Sequence, residues 1–401
     1  MEKRDNKGRI LKAGESQRKD GRYDYRYKDV RTGKRVAIYD WDLAELRKKE
    51  REIQRAIDDG INTTAEAKKA TLNTMYEHYM SLLQVEQSTR MSYEGLWERH
   101  VKSNIGNMRV VDIKPSHIKA FYAEMTRNGY AWGTLRIIHG ILCPIFDTAV
   151  EDDIVRKNPV QGNLAGYGVK PEERVALSAD EQERLLGFVE ESGCYAKHLP
   201  LLQVMIGTAC RVGEISGLTW DDLDMQKGEV SVTHQLIYKN FGEGCRFYKE
   251  TPKTESGIRT IPMTRRVRQA FHEQKKQQFL LGIDRSIEVE GLKGFVFTSK
   301  SGAPLAPNAI NNVLKNIVDA YNKREEKLAQ GEKRKAQYLP HISAHNLRHT
   351  GCTRMAEAGM DPKVLQYVMG HKDIGVTMGV YNHVSAMERV VKEMAKMEAA
   401  V

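Results

Sequence analysis

The sequence predicts a multidomain α+β protein that is mainly α-helical and carries small β-sheets. At 401 residues the chain exceeds what one hydrophobic core ordinarily organises, so two or three domains are expected. Hydrophobic residues make up 40% of the chain and charged residues 29%, a balance typical of globular domains. Apolar residues recur mostly with the helical period, and strand-like patterns are confined to two regions.

Neither a membrane span nor a disulfide framework is expected. No apolar run approaches the roughly 20 residues needed to cross a bilayer, and the basic N-terminus lacks the apolar segment of a secretory signal. The five cysteines are scattered and form no C-x-x-C pair, which argues against a thiolate zinc site and favours free thiols. We therefore expect a cytoplasmic protein without a membrane partner.

Positive charge is concentrated at the start of the chain. The formal net charge is +10, and residues 1–39 alone hold thirteen Lys and Arg against six Asp and Glu. Such a concentration indicates a polyanionic partner, with nucleic acid first and an acidic membrane surface second. The alternative is a solvated basic tail without a partner.

A small β-sheet followed by a helix is predicted at residues 1–65. In "GRYDYRYKD" tyrosines alternate with charged residues, and a second apolar run follows a turn at Thr32-Gly33. This pattern predicts a hairpin with one aromatic and apolar face and one basic face. The helix that follows ends at Gly60. Its apolar stripe consists of Leu43, Leu46, Ile53 and Ile57.

The middle of the chain predicts a helical domain at residues 70–160. Periodic apolar residues indicate four helices, at 71–83, 87–105, 114–129 and 131–153. Residues 161–174 contain Pro, Gly and Asn with little periodicity and are predicted to be a linker.

Residues 175–401 predict a mixed α/β domain. Helices are expected at 178–192 and 199–218, and strand-like runs at 228–239 and 257–263 with a turn at 250–256 between them. Helices dominate from there to the end. The charged segment 321–338 predicts either an exposed helix extension or a loop.

The segment "SAHNLRHTGCTRM" combines polar residues in a way that first suggests a metal site. Ser343 is a good helix N-cap, and His345 and Arg348 lie three apart on one helical face. A zinc-protease helix would carry H-E-x-x-H, but the glutamate is absent and Arg348 would place positive charge beside the metal. The metal hypothesis is therefore disfavoured, and His349 is interpreted as structural or as an outer neighbour of the site.

Further polar residues accompany this helix elsewhere in the chain. Downstream, Asp361 and Pro362 start a helix that stops at Gly370. The accompanying polar residues are Arg211 and Glu214 at a spacing of three, Lys253 in the predicted turn, His371 directly after that stop, and Tyr381 ten residues later.

In this order the residues resemble the tyrosine recombinase family, also called the phage-integrase family. The matching contexts are "GTACRVGEISGLTW", "TPKTESGIR", "HNLRHT" and "MGHKDIGVTMGVYNH". The start of the chain resembles the arm-binding domain of conjugative-transposon integrases. The resemblance implies an arm-site DNA-binding domain at 1–65, a helical core-binding, SAM-like domain at 70–160, and a catalytic domain with a C-terminal exchange helix at 175–401.

The residue types fit metal-free cleavage of a DNA phosphodiester. Arg211 and Arg348 supply planar, permanently charged forks for the non-bridging oxygens, and these oxygens gain charge in the transition state. Tyr381 is the predicted nucleophile and His345 the acceptor of its proton. Lys253 is the predicted general acid for the leaving 5′-hydroxyl, with Lys249 and Arg259 as other basic candidates.

The resemblance assigns the remaining roles and partners. His371 would donate a hydrogen bond to the scissile phosphate, and Glu214 would orient the arginine and histidine cluster. No cofactor and no metal is expected. The partners implied are double-stranded DNA at arm and core sites, a homotetramer on DNA, an excision factor and a DNA-bending accessory protein, all in the bacterial nucleoid.

The C-terminal segment leaves two alternatives open. Met387, Val390, Val391 and Met394 form an apolar stripe at helical spacing. This stripe could pack on its own domain, or, as the resemblance implies, dock on a neighbouring protomer.

The predicted function is a site-specific recombinase that integrates and excises a mobile element through a 3′-phosphotyrosine intermediate and a Holliday junction. The alternatives are a type IB topoisomerase-like enzyme that only relaxes DNA, a non-catalytic DNA-binding regulator, and a metal-dependent nuclease.

Overall fold

The structure, a computed structural model, describes residues 3–28, 35–58, 69–170, 176–252 and 254–381. The chain divides into two compact units, Met1–Glu172 and Glu173–Val401. The predicted turn at Thr32-Gly33, the helix stop at Gly60, Lys253 and the C-terminal apolar stripe lie outside the described residues.

The first unit begins with a three-stranded antiparallel sheet. Its strands are β1 (Glu15–Gln17), β2 (Tyr23–Lys28) and β3 (Arg35–Asp40), in the order β1-β2-β3. The sequence predicted only the β2–β3 hairpin, because three residues are too few to show a strand period. The helix α1 (Leu43–Asp58) packs its apolar stripe against the buried tyrosines of β2. The predicted aromatic face of the hairpin is thus the core of this sheet.

The helical part of the first unit has the four helices that the periodicity predicts. They are α2 (Leu72–Leu82), α3 (Gln87–Leu96), which continues into a π-helical turn at Trp97–Val101, α4 (Pro115–Arg127) and α5 (Trp132–Glu151). Trp97 stacks on Tyr76 with ring centroids 3.8 Å apart, and its indole N–H bonds to Asn73 at 3.0 Å. This contact joins α2 to the end of α3.

Helix α5 corrects one expectation about membranes. By length and composition alone it is able to cross a bilayer, whereas the sequence was expected to hold no such run. Its buried face, however, forms the centre of the helical core, as in many globular proteins. The residues of this face are Leu135, Ile138, Ile141, Leu142, Ile145, Phe146 and Ala149.

Part of the predicted linker packs on the same helical core. Leu164 is buried in it, the Gly168 amide bonds to Thr126 Oγ1 at 2.8 Å, and the Trp132 amide bonds to the Val169 carbonyl at 2.8 Å. The first part of the predicted linker, up to about residue 170, is therefore attached to the helical core by side-chain burial and backbone hydrogen bonds. The domain boundaries themselves stay predictions.

The second unit combines helices with two small sheets. Its helices are α6 (Ala179–Glu191), α7 (Leu199–Thr208), α8 (Val212–Gly217), α9 (Arg265–Leu280), α10 (Pro307–Glu332), α11 (Ala344–Glu357), α12 (Pro362–Met369) and α13 (Ile374–Tyr381). Its strands are β4 (Leu223–Asp224), β5 (Glu229–Val232), β6 (Gln235–Asn240), β7 (Cys245–Glu250) and β8 (Arg259–Pro262). The strands form an antiparallel sheet in the order β4-β5-β8 and a separate β6–β7 hairpin.

Two predicted elements of this unit are broken in the structure. The helix expected at 199–218 is interrupted at Ala209, whose φ of 50° is left-handed. The strand expected at 228–239 divides at Thr233-His234, because the His234 ring bonds to the Gly217 carbonyl at 2.9 Å and β5 and β6 enter different sheets. The charged segment from 321 is a helix extension, since α10 runs to Glu332.

A close helix crossing sets the position of α11. A Cβ atom built on Gly351 would lie 2.1 Å from the Ile206 carbonyl oxygen of α7, so only glycine permits this approach. Arg348 lies on α11 about one turn earlier. The crossing therefore brings Arg348 to the C-terminal end of α7, where the chain breaks at Ala209.

Candidate active site

The break after α7 positions Arg211 and Glu214. Arg211 is the extended N-cap residue of α8, with φ −68° and ψ 152°. Its backbone amide bonds to Glu214 Oε2 at 2.7 Å and its Nη1 bonds to Glu214 Oε1 at 2.8 Å. Glu214 thus caps the helix and orients the arginine at once, a variant of the capping box. Arg211 Nη2 also donates to the Gly370 carbonyl at 2.9 Å.

Arg348 is buried and anchored by backbone carbonyls at two helix ends. Its Nη1 donates to the Ala209 carbonyl at 2.7 Å, and its Nη2 donates to the Met369 carbonyl at 2.5 Å. Such carbonyls are the negative ends of helices and hold cations well. Burial, followed by the positive charge of Arg211, lowers the Arg348 pKa to about 10. The guanidinium therefore stays charged at neutral pH.

His371 joins this arginine from the turn after α12. Gly370, the left-handed cap with φ 60°, turns the chain so that His371 Nε2 lies 3.1 Å from Arg348 Nη2. Because a guanidinium only donates, Nε2 accepts this hydrogen bond. The ring proton then sits on Nδ1, which donates to Thr377 Oγ1 at 3.0 Å. In this arrangement His371 is a neutral ring with a defined tautomer.

We expect His371 to remain neutral at about pH 6 in the free protein. Burial, followed by the charges of Arg348 and Arg211, lowers its pKa from 6.5 to about 4. The unfolded chain therefore binds this proton more tightly, and the stability contributed by the neutral ring is lost as the pH falls from 6.5 towards 4.

The ring-nitrogen chemical shifts of nitrogen-15-labelled histidine, recorded over this pH range, test this expectation. A His371→Gln variant assigns the resonance. A His371 ring that is already protonated at about pH 6 would contradict it.

A cleft collects the predicted phosphate-binding residues of this unit. Its volume is about 460 Å³, and Arg211, His345 and Arg348 line it together with the β6 segment Gln235–Lys239. His345 is exposed, and the Arg211 side chain is 39% exposed. A larger cavity of about 790 Å³ opens elsewhere on the unit, near α9, and contains none of the predicted site residues.

The structure brings five of the predicted site residues together and leaves two undescribed in part or in full. The five are Arg211, Glu214, His345, Arg348 and His371. Lys253 lies outside the described residues. Tyr381 ends α13, one helical turn after Thr377, and its backbone alone is described. Within the described ranges, no group of three or more His, Cys, Asp or Glu is placed to hold a metal ion.

The sequence did not identify several groups that hold the site. Arg259, considered only as a basic candidate beside Lys253, is fully buried and binds both oxygens of Glu214. The sequence could have indicated this burial, because Arg259 lies two residues before Ile261 and so on the same, inward face of the strand. A buried charge at that position requires a partner. The carbonyls of Ala209 and Met369 have no signal in the side-chain pattern.

Comparison with known proteins identifies the family of the chain. The family model described as "Phage integrase family" matches residues 176–388. The transposase from transposon Tn916 of Enterococcus faecalis is 35% identical over 410 residues, covering 98% of this chain and 96% of the transposase. The chain belongs to the phage integrase family. Within this family it is a tyrosine site-specific recombinase of the conjugative-transposon branch, as the sequence resemblance predicted.

Two further family models match the N-terminal part of this phage integrase family member, and a more distant relative matches most of the chain. "DNA binding domain of tn916 integrase" matches residues 1–57, and "Phage integrase, N-terminal SAM-like domain" matches residues 71–126. A "Tyrosine recombinase XerC-like" protein of Caldanaerobacter subterraneus subsp. tengcongensis is 25% identical over 364 residues, covering 87% of this chain and 88% of that protein.

Solved structures of other integrases confirm the fold. The Tn1549 transposon integrase, in complex with transposon right end DNA, superposes with a TM-score of 0.72 at 31% identity, covering 82% of this chain and 100% of that chain. A lambda integrase tetramer bound to a Holliday junction has a TM-score of 0.52 at 19% identity, covering 92% of this chain and 94% of that chain. The second likeness shows the shared fold alone.

Proposed function

We propose that this chain recombines the ends of a conjugative transposon by cleaving DNA at the cleft of Arg211 and Arg348 and holding it as a 3′-phosphotyrosine at Tyr381. The observation that carries the proposal is the convergence of two guanidinium groups from separate elements on one cleft, with His371 in contact with one of them. The family membership of the chain supports recombination over the topoisomerase-like and regulatory alternatives.

The arginine pair would act on the scissile phosphate. Arg211 donates to Glu214 and to the Gly370 carbonyl, and its side chain is 39% exposed. Its fixed neighbours mean that the fork needs no reorganisation when charge develops on the phosphate oxygens. Arg348, held by two carbonyls, adds a second fixed charge at the floor of the same cleft.

The proton transfers are assigned to residues around these arginines. The Tyr381 phenol attacks phosphorus as its proton passes to His345, forming the phosphotyrosine ester while the bond to the 5′-oxygen breaks. Lys253 protonates that leaving oxygen. When the phosphate replaces the contact between His371 and Arg348, the His371 ring proton moves from Nδ1 to Nε2. Nε2 then donates to a phosphate oxygen, and Nδ1 accepts a hydrogen bond from the Thr377 hydroxyl. Attack of a 5′-hydroxyl on the ester reverses the steps, so rejoining needs no ATP and no metal.

The first unit offers a basic and aromatic surface for the proposed arm-site binding. At the ends of its strands, Arg18 stacks over Tyr39 at 5.3 Å and Arg22 over Trp41 at 5.5 Å. Trp41 is 70% exposed, and an aromatic ring held at the surface by an arginine suits contact with a nucleic acid backbone and bases. We assign arm sites to residues 1–65, core sites to residues 70–160 and 175–401.

The proposed assembly is a homotetramer on DNA that passes through a Holliday junction. Family membership supports this assembly. The Tn1549 integrase, whose structure is a complex with transposon right end DNA, supports the binding of transposon ends. We place the protein in the bacterial cytoplasm on nucleoid DNA, and we expect an excision factor and a DNA-bending protein to assist it.

A nicked suicide substrate carrying the core site tests the proposal. The nick lets the short 5′-hydroxyl fragment diffuse away, so the wild-type protein should accumulate as a covalent adduct on the DNA 3′ end. Because no metal takes part, the adduct should form equally in EDTA. A metal nuclease would stop in EDTA, and a DNA-binding regulator would bind without any adduct. Absence of an adduct on all attachment-site DNAs would overturn the proposal.

A further inference from the structure

Arg259 is a buried charge in the second unit that the proposed chemistry does not use. It begins β8 opposite Val232 of β5, and its side chain is 0% exposed. Taking a guanidinium out of water costs several kcal/mol unless its donors are met. A charge in this place therefore implies a specific set of partners.

The guanidinium of Arg259 directs its donors to three different segments. Nη1 and Nη2 bond to the two oxygens of Glu214 at 3.1 and 2.8 Å. Nε donates to the Val368 carbonyl of α12 at 2.7 Å, and Nη1 donates to the Gly257 carbonyl at 3.0 Å. Since the side chain is enclosed, Arg259 does not reach DNA, and it is excluded as a substitute for Lys253 in proton transfer.

Glu214 is consequently shared between two arginines. Its carboxylate accepts from Arg211 on one side and from Arg259 on the other. Burial opposes its ionisation, but the hydrogen bond and charge of Arg259 outweigh this effect, and the Glu214 pKa lies below its ordinary value. One negative charge thus faces two positive charges, so the cluster keeps a net positive charge with Arg211 on its exposed side.

Arg259 also supports the turn that carries His371. A Cβ atom on Gly370 would lie 3.1 Å from Arg259 Nη1 and 3.0 Å from the Ser256 carbonyl, so this left-handed turn rests directly on the arginine. The Gly370 carbonyl is the second acceptor of Arg211. Arg259 therefore binds Glu214 and lies beside the Gly370 turn, and these two features hold the Arg211 fork.

We propose that Arg259 is a positioning residue: it neutralises Glu214 and supports the Gly370 turn, and so leaves the positive charge of the Arg211 fork uncancelled and aimed at the phosphate. Without Arg259, the Glu214 carboxylate would be matched by Arg211 alone and would cancel the charge intended for the phosphate. The inference rests on the proposed role of Arg211 in binding the scissile phosphate.

Single-turnover cleavage of the suicide substrate by Arg259→Met, Glu214→Gln and the double variant tests the inference. Arg259→Met should lower the cleavage rate on the order of 100-fold, with the dissociation constant for core-site DNA changed by less than about threefold, because many phosphate contacts share binding. The double variant should cleave no more slowly than Arg259→Met, because Glu214→Gln removes the unmatched charge. Two independent structural losses would instead multiply.

Controls keep the outcomes distinct. Arg266→Met removes an exposed arginine of the same unit and should leave the cleavage rate unchanged. If circular dichroism shows that Arg259→Met does not fold, Arg259→Lys replaces it; lysine keeps the charge but not the fork, and should lower cleavage about tenfold, again without addition from Glu214→Gln.

Three results would overturn the inference: wild-type cleavage by a folded Arg259 variant, multiplicative losses in the double variant, or failure of both Arg259 variants to fold. Loss of cleavage by the wild-type protein would instead overturn the proposed function.

Discussion

Replacing Tyr381 with phenylalanine is expected to abolish the covalent adduct between protein and DNA. Phenylalanine keeps the ring but removes the oxygen that would form the ester, so the phosphotyrosine bond has no atom through which to form. Tyr381 is the last residue of α13. The Thr377 hydroxyl of the same helix accepts a hydrogen bond from the His371 ring. The measurement is adduct formation on the nicked core site, resolved by denaturing electrophoresis, with DNA binding measured in parallel and expected to persist.

Tyr367→Phe is the matched control for this variant. Tyr367 lies on α12 in the same unit, is 52% exposed, and its hydroxyl accepts the Thr260 amide at 3.1 Å. Loss of that hydrogen bond should cost about 1 kcal/mol of stability and leave adduct formation intact. An adduct that still forms with Tyr381→Phe would show that another tyrosine or another residue type is the nucleophile, and peptide mapping of the adduct would identify it.

Arg348→Lys should lower cleavage by roughly 100- to 1,000-fold while largely preserving DNA binding. The guanidinium bridges the Ala209 and Met369 carbonyls, and a single ammonium nitrogen does not reproduce this fork. The same burial that lowers the pKa of Arg348 to about 10 would act on a lysine whose ordinary pKa is already lower, and would favour its neutral form. Charge and geometry are thus lost together.

Arg354→Lys provides the comparison on the same helix. Arg354 pairs with Glu357 and donates to the Leu177 carbonyl, away from the cleft residues. It should lose a little stability and cleave at nearly the wild-type rate. If Arg348→Lys cleaved as fast as Arg354→Lys, the fork of Arg348 would have no special part in catalysis. Thermal unfolding of both variants separates this outcome from misfolding.

Local patterns were sufficient for most helices of this protein. The four helices from 71 to 153 follow from apolar spacing alone, and Ser343, Asp361 and Gly370 mark helix ends where the structure has them. Apolar spacing and helix caps depend only on residues that are neighbours in the sequence, so they can be recognised without the structure. Strand β1 is too short to show a strand period. The division of 228–239 depends on the pairing of β5 with β8 and of β6 with β7, which no local period encodes.

The sequence by itself determined the family, and it predicted the domain order and the residue types that would bind the phosphate, because motif order and chemistry depend on the side chains alone. Only the tertiary structure decided how those residues are held. The left-handed Ala209 separates α7 from α8 and exposes Arg211, against the helical period of the segment. Arg348 donates to the Ala209 carbonyl, 139 residues away in the sequence, and Arg259 binds Glu214 at a separation of 45 residues. Backbone acceptors are the same at every position, so packing alone selects which of them meets a buried charge.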